Sequence, residues 1–324
     1  MFRRVRDHSH PAGLSVSTRA TGSGPSRSGT LIYRRTKVTD LAQSAPDPQT
    51  WKLTLAYDGT GFSGWQVQPG KSTIQGELQQ ALGRVTGESP LPQGSGRTDA
   101  GVHALAQVAS FALQARIPPE NLRLALNRTL PHSIRIVQAE AVPGTFHARH
   151  STVAKSYEYR VFRGDICPPF LARYVYACSW PLDVEALQMS AQLFVGEHDF
   201  MSFAATDPDL NSRSCPEVDS EATAPGPAAR GAVRTIFSSH WEERRSEAGD
   251  LLIYRVRGNG FLHHMVRNLV GTMLDVGRGR RPLAEIPSII AARSRAAAGP
   301  TAPPLGLFLH SVEYGEPRGA SRTK

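Results

Sequence analysis

The strongest constraint on the fold of this chain is that its hydrophobic residues switch repeatedly between two spacings. Leu53, Leu55 and Tyr57 alternate with polar or small residues, which is typical of a strand. Apolar residues then recur every three or four positions up to Gly87, as they do on one face of a helix. Because this switching continues to about residue 314, the sequence predicts an α+β fold with a sheet that is at least partly antiparallel.

Strands are predicted at residues 51–57, 107–113, 134–142, 155–162, 251–257 and 307–314. Four helices are predicted: one after a capping box of Ser72 and Gln75, one opened by Pro118-Pro119, one capped by Asp183, and one carrying Leu262, Val266, Leu269, Met273 and Val276. The simplest division is into two α+β halves, at residues 49–152 and 153–315.

Three segments lack this periodicity. Residues 1–48 are rich in Arg and Ser with few acids, which predicts a disordered basic extension. Organellar transit peptides share that composition, but no clear amphipathic helix is visible, so we favour a plain extension, with contact to RNA as one role. Residues 207–231 predict a flexible insertion, and residues 316–324 a polar tail.

The chain carries 37 Lys and Arg against 28 Asp and Glu, and its pI is near 9.8. This excess attracts polyanions, of which nucleic acid is the commonest, although basic residues also serve solubility alone. Three cysteines without C-x-x-C spacing indicate neither a disulfide framework nor a zinc site. A reducing, cytoplasmic location is therefore expected. The sequence contains no run of about 18 apolar residues, so no membrane span is predicted.

The segment Gly94-Ser-Gly-Arg-Thr-Asp-Ala-Gly-Val-His103 holds three glycines, a cation and a carboxylate. Glycines permit a tight backbone, so Arg97 and Asp99 can be held at the mouth of a cleft. The G-x-G-x-x-G spacing of a dinucleotide loop is absent. From physical chemistry alone, a surface ion pair of Arg97 and Asp99 on a glycine-rich turn is the favoured explanation of the segment.

The string Gly96-Arg-Thr-Asp-Ala-Gly-Val-His103 resembles the signature of the tRNA pseudouridine synthase A family. Further strings resemble other blocks of that family in the same order: Tyr57-Asp-Gly-Thr-Gly-Phe-Ser-Gly-Trp-Gln66, Phe146-His-Ala-Arg149, Lys155-Ser-Tyr-Glu-Tyr159, His198-Asp-Phe-Met-Ser-Phe203 and Phe261-Leu-His-His-Met-Val-Arg-Asn268. The resemblance runs from about residue 52 to residue 314. The extension and the insertion depart from it and carry no motif.

The resemblance implies that Asp99 is the catalytic carboxylate. In the family's reaction the N-glycosidic bond of a uridine breaks, the base rotates, and C5 joins C1′. Nothing is oxidised and no group is added, so no cofactor and no metal are implied. A carboxylate can attack the base or the sugar, or stabilise and deprotonate a glycal-like species, and the sequence does not choose among these routes.

The resemblance implies three further site residues. Arg267 pairs with the carboxylate and keeps it ionised, although its position off the apolar stripe also suits a solvated charge. Tyr157 stacks on the target base, whereas its strand pattern alone favours a core aromatic like Tyr159. Arg97 enters the tRNA stem when the uridine leaves it.

The adjacent His263 and His264 suggest a metal site, but adjacent residues point to different faces of a helix and no third ligand is near in sequence. The sequence therefore predicts no metal. Three other histidines are interpreted as turn and packing residues: His103, His147 and His198. Three cations are candidate phosphate contacts, and each is equally explained as a solvated charge: Arg149, Lys155 and Arg160.

The resemblance thus implies an α+β pseudouridine synthase fold, in which a central, mainly antiparallel sheet and two related halves enclose a basic cleft. It also implies a homodimer that binds tRNA across both subunits and modifies uridines 38, 39 and 40 of the anticodon stem-loop. Two alternatives stay open. A non-catalytic RNA-binding module would not need Asp99, and a small-molecule hydrolase would pair Asp99 with a histidine.

Overall fold

The computed structural model describes residues 47–205, 231–245 and 249–315. The predicted extension, insertion and tail fall outside these residues, apart from residues 47, 48 and 231. The strands are β1 (Gln49–Tyr57), β2 (Gln93–Gly94), β3 (His103–Leu113), β4 (Ile134–Val142), β5 (Thr152–Arg163), β6 (Tyr176–Ala177), β7 (Gly196–Asp199), β8 (Val233–Arg244), β9 (Asp250–Gly258) and β10 (Leu307–Tyr314). The helices are α1 (Ile74–Thr86), α2 (Pro119–Thr129), α3 (Val184–Gln192), α4 (Met265–Gly277) and α5 (Ile286–Ala292).

These strands form one sheet in the order β4-β1-β3-β10-β5-β9-β8-β7, with β2 paired to β3 and β6 paired to β5. All pairs are antiparallel except β10 with β3 and β6 with β5. The predicted α+β class with a mainly antiparallel sheet is confirmed. Strand β10 lies between β3 and β5, so the last strand joins the strands of the two predicted halves. The boundary at residue 152 stays a prediction.

Helix α1 begins one residue later than the predicted capping box requires. Thr73 is the N-cap, and its hydroxyl accepts a hydrogen bond from the amide of Gly76. The Gln75 side chain is buried, and it accepts from the amide of Val67 and donates to the carbonyl of Pro92. The predicted pairing of Ser72 with Gln75 was therefore wrong, because a buried amide has to satisfy its polar atoms from neighbouring loops.

Helix α4 begins at Met265, so Leu262 of the predicted stripe precedes the helix. The reason is His264, whose φ of 59° lies in the left-handed region and cannot continue a right-handed helix. Val266, Leu269, Met273 and Val276 are buried, as the stripe predicted. This early turn directs the start of α4 toward the glycine-rich segment of the first half.

Strand β8 was not predicted. Its pairing with β9 shifts register between Ile236 and Ser238, which is a bulge or irregularity. Ile236, Ser239 and Trp241 are therefore the buried positions, and Phe237 is exposed. An extra residue at such a shift breaks the two-residue alternation on which strand prediction depends.

Candidate active site

The glycine-rich segment forms a loop from Ser95 to Val102, between β2 and β3, and neighbouring side chains hold its backbone. The amide of Gln107 donates to the carbonyl of Gly96 at 3.0 Å. The hydroxyl of Tyr57 lies 2.8 Å from that of Thr98. The amide of Trp65 donates to the carbonyl of Thr98 at 3.0 Å. The loop is therefore anchored on both sides of Arg97.

Two glycines of the turn after β1 allow this turn to pack directly against the loop. A Cβ on Gly64 would lie 2.6 Å from the carbonyl oxygen of Thr98, and a Cβ on Gly59 would lie 2.0 Å from that of Val102. Gly64 also has a φ of 89°. Side chains at these two positions would displace the loop, which explains why the turn uses glycine.

Lys155 anchors the loop from β5. Its ammonium group donates to the carbonyl of Ser95 at 2.5 Å, and Gly96 has no side chain that would occupy the same space. Lys155 is partly exposed as a residue, but its ammonium end is enclosed. This burial, together with the positive charge of Arg149, lowers the pKa of Lys155 to about 8.

The loop brings Asp99 against α4. Nη1 of Arg267 lies 2.9 Å from Oδ2 of Asp99, and the two side chains are 13% and 20% exposed. Nε of Arg267 donates to the carbonyl of Ala302 at 2.7 Å, and the carbonyl of Arg267 accepts from the amide of Ala302. The guanidinium is therefore held at both ends, and it fixes the position of a carboxylate that stays partly accessible.

Two imidazoles complete the surroundings of Asp99. Nε2 of His263 lies 3.5 Å from Oδ1 of Asp99, and Nε2 of His264 lies 3.2 Å from Oδ2. Burial lowers the pKa of His264, and the charges of His263, Arg267 and Arg295 lower it further, whereas Asp99 raises it. His264 is therefore mainly neutral at neutral pH.

The predicted divergence of these two histidines was wrong. Both residues precede α4, which begins at Met265, and the left-handed turn at His264 brings both rings to the same side. The third group near them is Asp99, which is distant in sequence. Sequence spacing could not reveal this group, because Asp99 lies more than 160 residues away in the chain and comes near the histidines only in the folded structure.

Tyr157 lies on β5 and is 9% exposed. Its ring meets the ring of Phe261 edge-on, with centroids 5.0 Å apart. Burial raises the pKa of Tyr157, and the charges of Tyr57 and Asp99 raise it further. The phenol therefore stays neutral at physiological pH and provides an aromatic surface beside Asp99.

Arg97 lies on the loop between the anchored residues Gly96 and Thr98, and it is exposed. The loop thus carries one cation at its surface and one carboxylate that turns inward to Arg267. The exposed guanidinium of Arg97 suits recognition of an anionic substrate, and the partly accessible carboxylate of Asp99 suits chemistry on it.

Comparison with known proteins assigns this arrangement to a family. The family model described as tRNA pseudouridine synthase matches residues 54–151 and 190–315. The chain belongs to the tRNA pseudouridine synthase family.

Several curated relatives share the name tRNA pseudouridine synthase A. The protein of Solibacter usitatus is 49% identical over 263 residues, which cover 81% of this chain and 98% of the relative. The proteins of Brevibacillus brevis and Moorella thermoacetica are each 43% identical, over the same shares of both chains. The resemblance found in the sequence motifs is therefore confirmed, and the chain is an isomerase of this family.

Two of the three candidate phosphate contacts have other partners in this family member. Lys155 holds the loop, as described above. Arg160 stacks on the ring of Phe308 at 3.9 Å and binds Glu158 at 2.6 Å. Both side chains thus have partners within the protein, and their contact with phosphate stays a prediction. Arg149 is exposed and stays a candidate.

His103 is a packing residue, as predicted. It is 1% exposed, its ring stacks on Phe308 with centroids 4.7 Å apart, and its Nδ1 accepts from the amide of Gly59. Burial lowers the pKa of His103, so it stays neutral. His103, at the end of the loop that contains Asp99, therefore has a structural role.

Within the described part of the chain, every helix is too short or too polar to cross a bilayer.

Proposed function

We propose that this chain converts uridine to pseudouridine in tRNA, at positions 38, 39 and 40 of the anticodon stem-loop, with Asp99 as the catalytic carboxylate. The family membership supports the reaction and the substrate class. One observation supports the residue: Asp99 lies in a loop that is anchored on both sides, 2.9 Å from a guanidinium that is itself held by the backbone of Ala302. Such fixed geometry is what a carboxylate needs to act at one carbon atom.

In the proposed reaction the C1′–N1 bond of the uridine breaks and the base turns so that C5 faces C1′. A C1′–C5 bond then forms, C5 loses its proton, and N1 gains one. Asp99 either attacks as a nucleophile or stabilises and deprotonates a glycal-like species. Arg267 orients the carboxylate through Oδ2, and Oδ1 lies 3.5 Å from Nε2 of His263.

The proposed substrate contacts follow from position. A uridine inside a stem must leave the stack before its sugar can react, which costs a few kcal/mol. Tyr157 provides the face on which the extruded base stacks. Arg97, on the surface of the loop, fills the space that the base leaves, because a planar guanidinium can stack and donate hydrogen bonds.

The remaining parts of the proposal concern the whole assembly. The net charge of +9 favours binding to the polyanionic tRNA. A homodimer that binds tRNA across both subunits, and a cytoplasmic location, are proposed from the family resemblance alone.

The test uses Asp99→Asn, which keeps the shape of the side chain, with Asp165→Asn as the matched control at an exposed loop position. The substrates are anticodon stem-loop RNAs with a single uridine at position 38, 39 or 40. We expect Asp99→Asn to bind these RNAs as the parent chain does, and its turnover to fall by at least about 10³-fold. Asp165→Asn should retain both properties.

Pseudouridine is measured by chemical mapping, and binding is measured by titration at two salt concentrations. Retained turnover in Asp99→Asn would refute the role of Asp99. A parent chain that binds RNA without turnover would favour the RNA-binding module, and affinity that does not fall with salt would favour the hydrolase. Turnover at other tRNA uridines would refute only the stated positions.

A further inference from the structure

The histidine pair next to Asp99 has no part in the proposed reaction. The rings of His263 and His264 contact each other in a tilted arrangement, with centroids 3.9 Å apart and an angle of 35° between the planes. One ligand atom from each of Asp99, His263 and His264 lies within 4.8 Å of the other two. Among the residues that the structure describes, no other set of three such groups comes together in this way.

The distances between these atoms suit a particular ion. Zn²⁺ binds imidazole nitrogen and carboxylate oxygen at about 2.0 to 2.2 Å in a tetrahedron, which separates neighbouring ligand atoms by roughly 3.3 to 3.5 Å. The observed separations from Asp99 are 3.5 Å to His263 and 3.2 Å to His264. Small rotations of the side chains would therefore suffice to admit the ion, with its fourth position open to solvent or substrate.

The backbone explains how two successive histidines reach one ion. Successive residues of a helix point about 100° apart, so two adjacent helical histidines diverge. His264 instead has a φ of 59°, which is costly for a residue other than glycine. This conformation places both Nε2 atoms beside the carboxylate of Asp99.

Two observations limit the strength of such a site. Arg267 already binds Oδ2 of Asp99, which is also the oxygen that lies 3.2 Å from His264, and its charge repels a cation. Oδ1, which lies 3.5 Å from His263, is the oxygen that remains available. Metal-binding imidazoles usually donate their second N–H to a partner, and Nδ1 of His263 is buried without one among the described residues. We therefore expect weaker binding than in a structural zinc site.

We propose that Asp99, His263 and His264 bind Zn²⁺ reversibly, and that the bound ion inhibits the enzyme by occupying Asp99. Mg²⁺ should not compete, because two of the three ligands are nitrogen atoms and Mg²⁺ prefers oxygen. The inhibitory part rests on the proposed catalytic role of Asp99, whereas the binding part does not. The ion is an inhibitor in this proposal, and the reaction does not use it.

Binding is tested on the full chain by calorimetric titration with ZnCl₂, and the ligand set by the visible spectrum of bound Co²⁺. His264→Asn removes one ligand and suits the backbone, because Asn tolerates the left-handed region. His263→Phe removes the other ligand and keeps an aromatic ring against His264. The matched control is His150→Asn, since the ring of His150 contacts that of His147, with centroids 4.2 Å apart, without a third ligand group in the described residues.

We expect one Zn²⁺ per chain, at least tenfold weaker binding in His264→Asn and His263→Phe, and unchanged binding in His150→Asn. Equal zinc binding by all variants, or no binding by the parent chain, would overturn the proposed site. Millimolar Mg²⁺ should leave the titration unchanged, and displacement of zinc by Mg²⁺ would also count against the site.

Inhibition is tested on stem-loop turnover with and without Zn²⁺. We expect zinc to inhibit the parent chain competitively with RNA, EDTA to restore turnover, and both ligand variants to resist zinc at least tenfold. Zinc bound at this site without inhibition would refute the inhibitory part. A parent chain that is inactive before zinc is added would refute the proposed function instead, and the calorimetric result would still decide the binding.

Discussion

The two carboxylates Asp99 and Glu158 each pair with arginine, on opposite sides of strand β5. The contrast between them shows what distinguishes a candidate site from a structural ion pair. Tyr157 and Glu158 are neighbours on β5, so their side chains point to opposite faces of the sheet. Tyr157 lies on the face near Asp99, whose charge raises the pKa of Tyr157, and Glu158 lies on the other face. An ion pair by itself therefore does not distinguish the two places.

The cluster around Glu158 is closed. Glu158 is 5% exposed and binds Arg160 at 2.6 Å and Arg255 at 3.1 Å, and Arg160 also stacks on Phe308. Burial by itself raises the pKa of Glu158, but the hydrogen bond from Arg160 and the charges of Arg160, Arg255 and His310 outweigh it and lower the pKa. Both carboxylate oxygens of Glu158 are thus paired with arginines inside the protein.

Asp99 differs from Glu158 because its carboxylate is not fully paired with arginines. Oδ2 binds Arg267 and lies 3.2 Å from His264, while Oδ1 lies 3.5 Å from His263, and the side chain is 20% exposed. Its support comes from a loop without regular structure, and not from cross-strand neighbours. A carboxylate that is fixed but incompletely paired suits a reaction, and one that is fixed and fully paired suits stability.

The largest effect that would sharpen this contrast is expected from Arg267. We expect Arg267→Lys to lower kcat by about 10²-fold, because an ammonium group cannot bind Asp99 and the carbonyl of Ala302 in the same fork geometry. Single-turnover kinetics on a stem-loop RNA measure the change. The control is Arg255→Lys on the opposite face, and an equal loss of kcat in both variants would break the contrast.

A smaller effect, on stability, is expected from Glu158→Gln. The change leaves Arg160 and Arg255 near a neutral group, so we expect the free energy of unfolding to fall by about 2 to 3 kcal/mol while kcat stays the same. Because the pKa of Glu158 is lowered in the folded state, its contribution is present above the ordinary value of 4.5 and is lost as the pH falls below it.

Urea titrations of both proteins from pH 3 to pH 7 measure this difference. A difference in stability that persists unchanged to pH 3 would contradict the ionic interpretation. A fall in kcat without a fall in stability would place Glu158 in the site and remove the contrast.

The smallest effect is expected from Lys155, which holds the loop both by its positive charge and by its hydrogen bond to Ser95. Raising the pH removes the charge. Its pKa of about 8 means that the ammonium loses its proton as the pH rises through 8. We expect kcat/KM of the parent chain to fall a few-fold from pH 7 to pH 9, and Lys155→Arg to show no such fall because arginine stays charged. Parallel pH profiles of the two proteins would contradict this prediction.

Several parts of this protein could be predicted from the sequence. Strands β4 and β10 have the predicted bounds, and α1 ends at Gly87 with the left-handed φ of 78° that glycine favours. The family motifs identified Asp99, Arg97, Tyr157 and Arg267 as candidates. These features are local, because periodicity, helix ends and short motifs depend on neighbouring residues only.

Only the tertiary structure decided the surroundings of these residues. It brought His263 and His264 to Asp99, turned Lys155 to the loop from β5, and placed Arg160 on Phe308. The register shift hid β8 from periodicity, and burial of Gln75 moved the start of α1. In each case the deciding partner lies far along the chain or outside the local pattern. The position of β10 between β3 and β5, which no local pattern encodes, brings Phe308 next to Arg160.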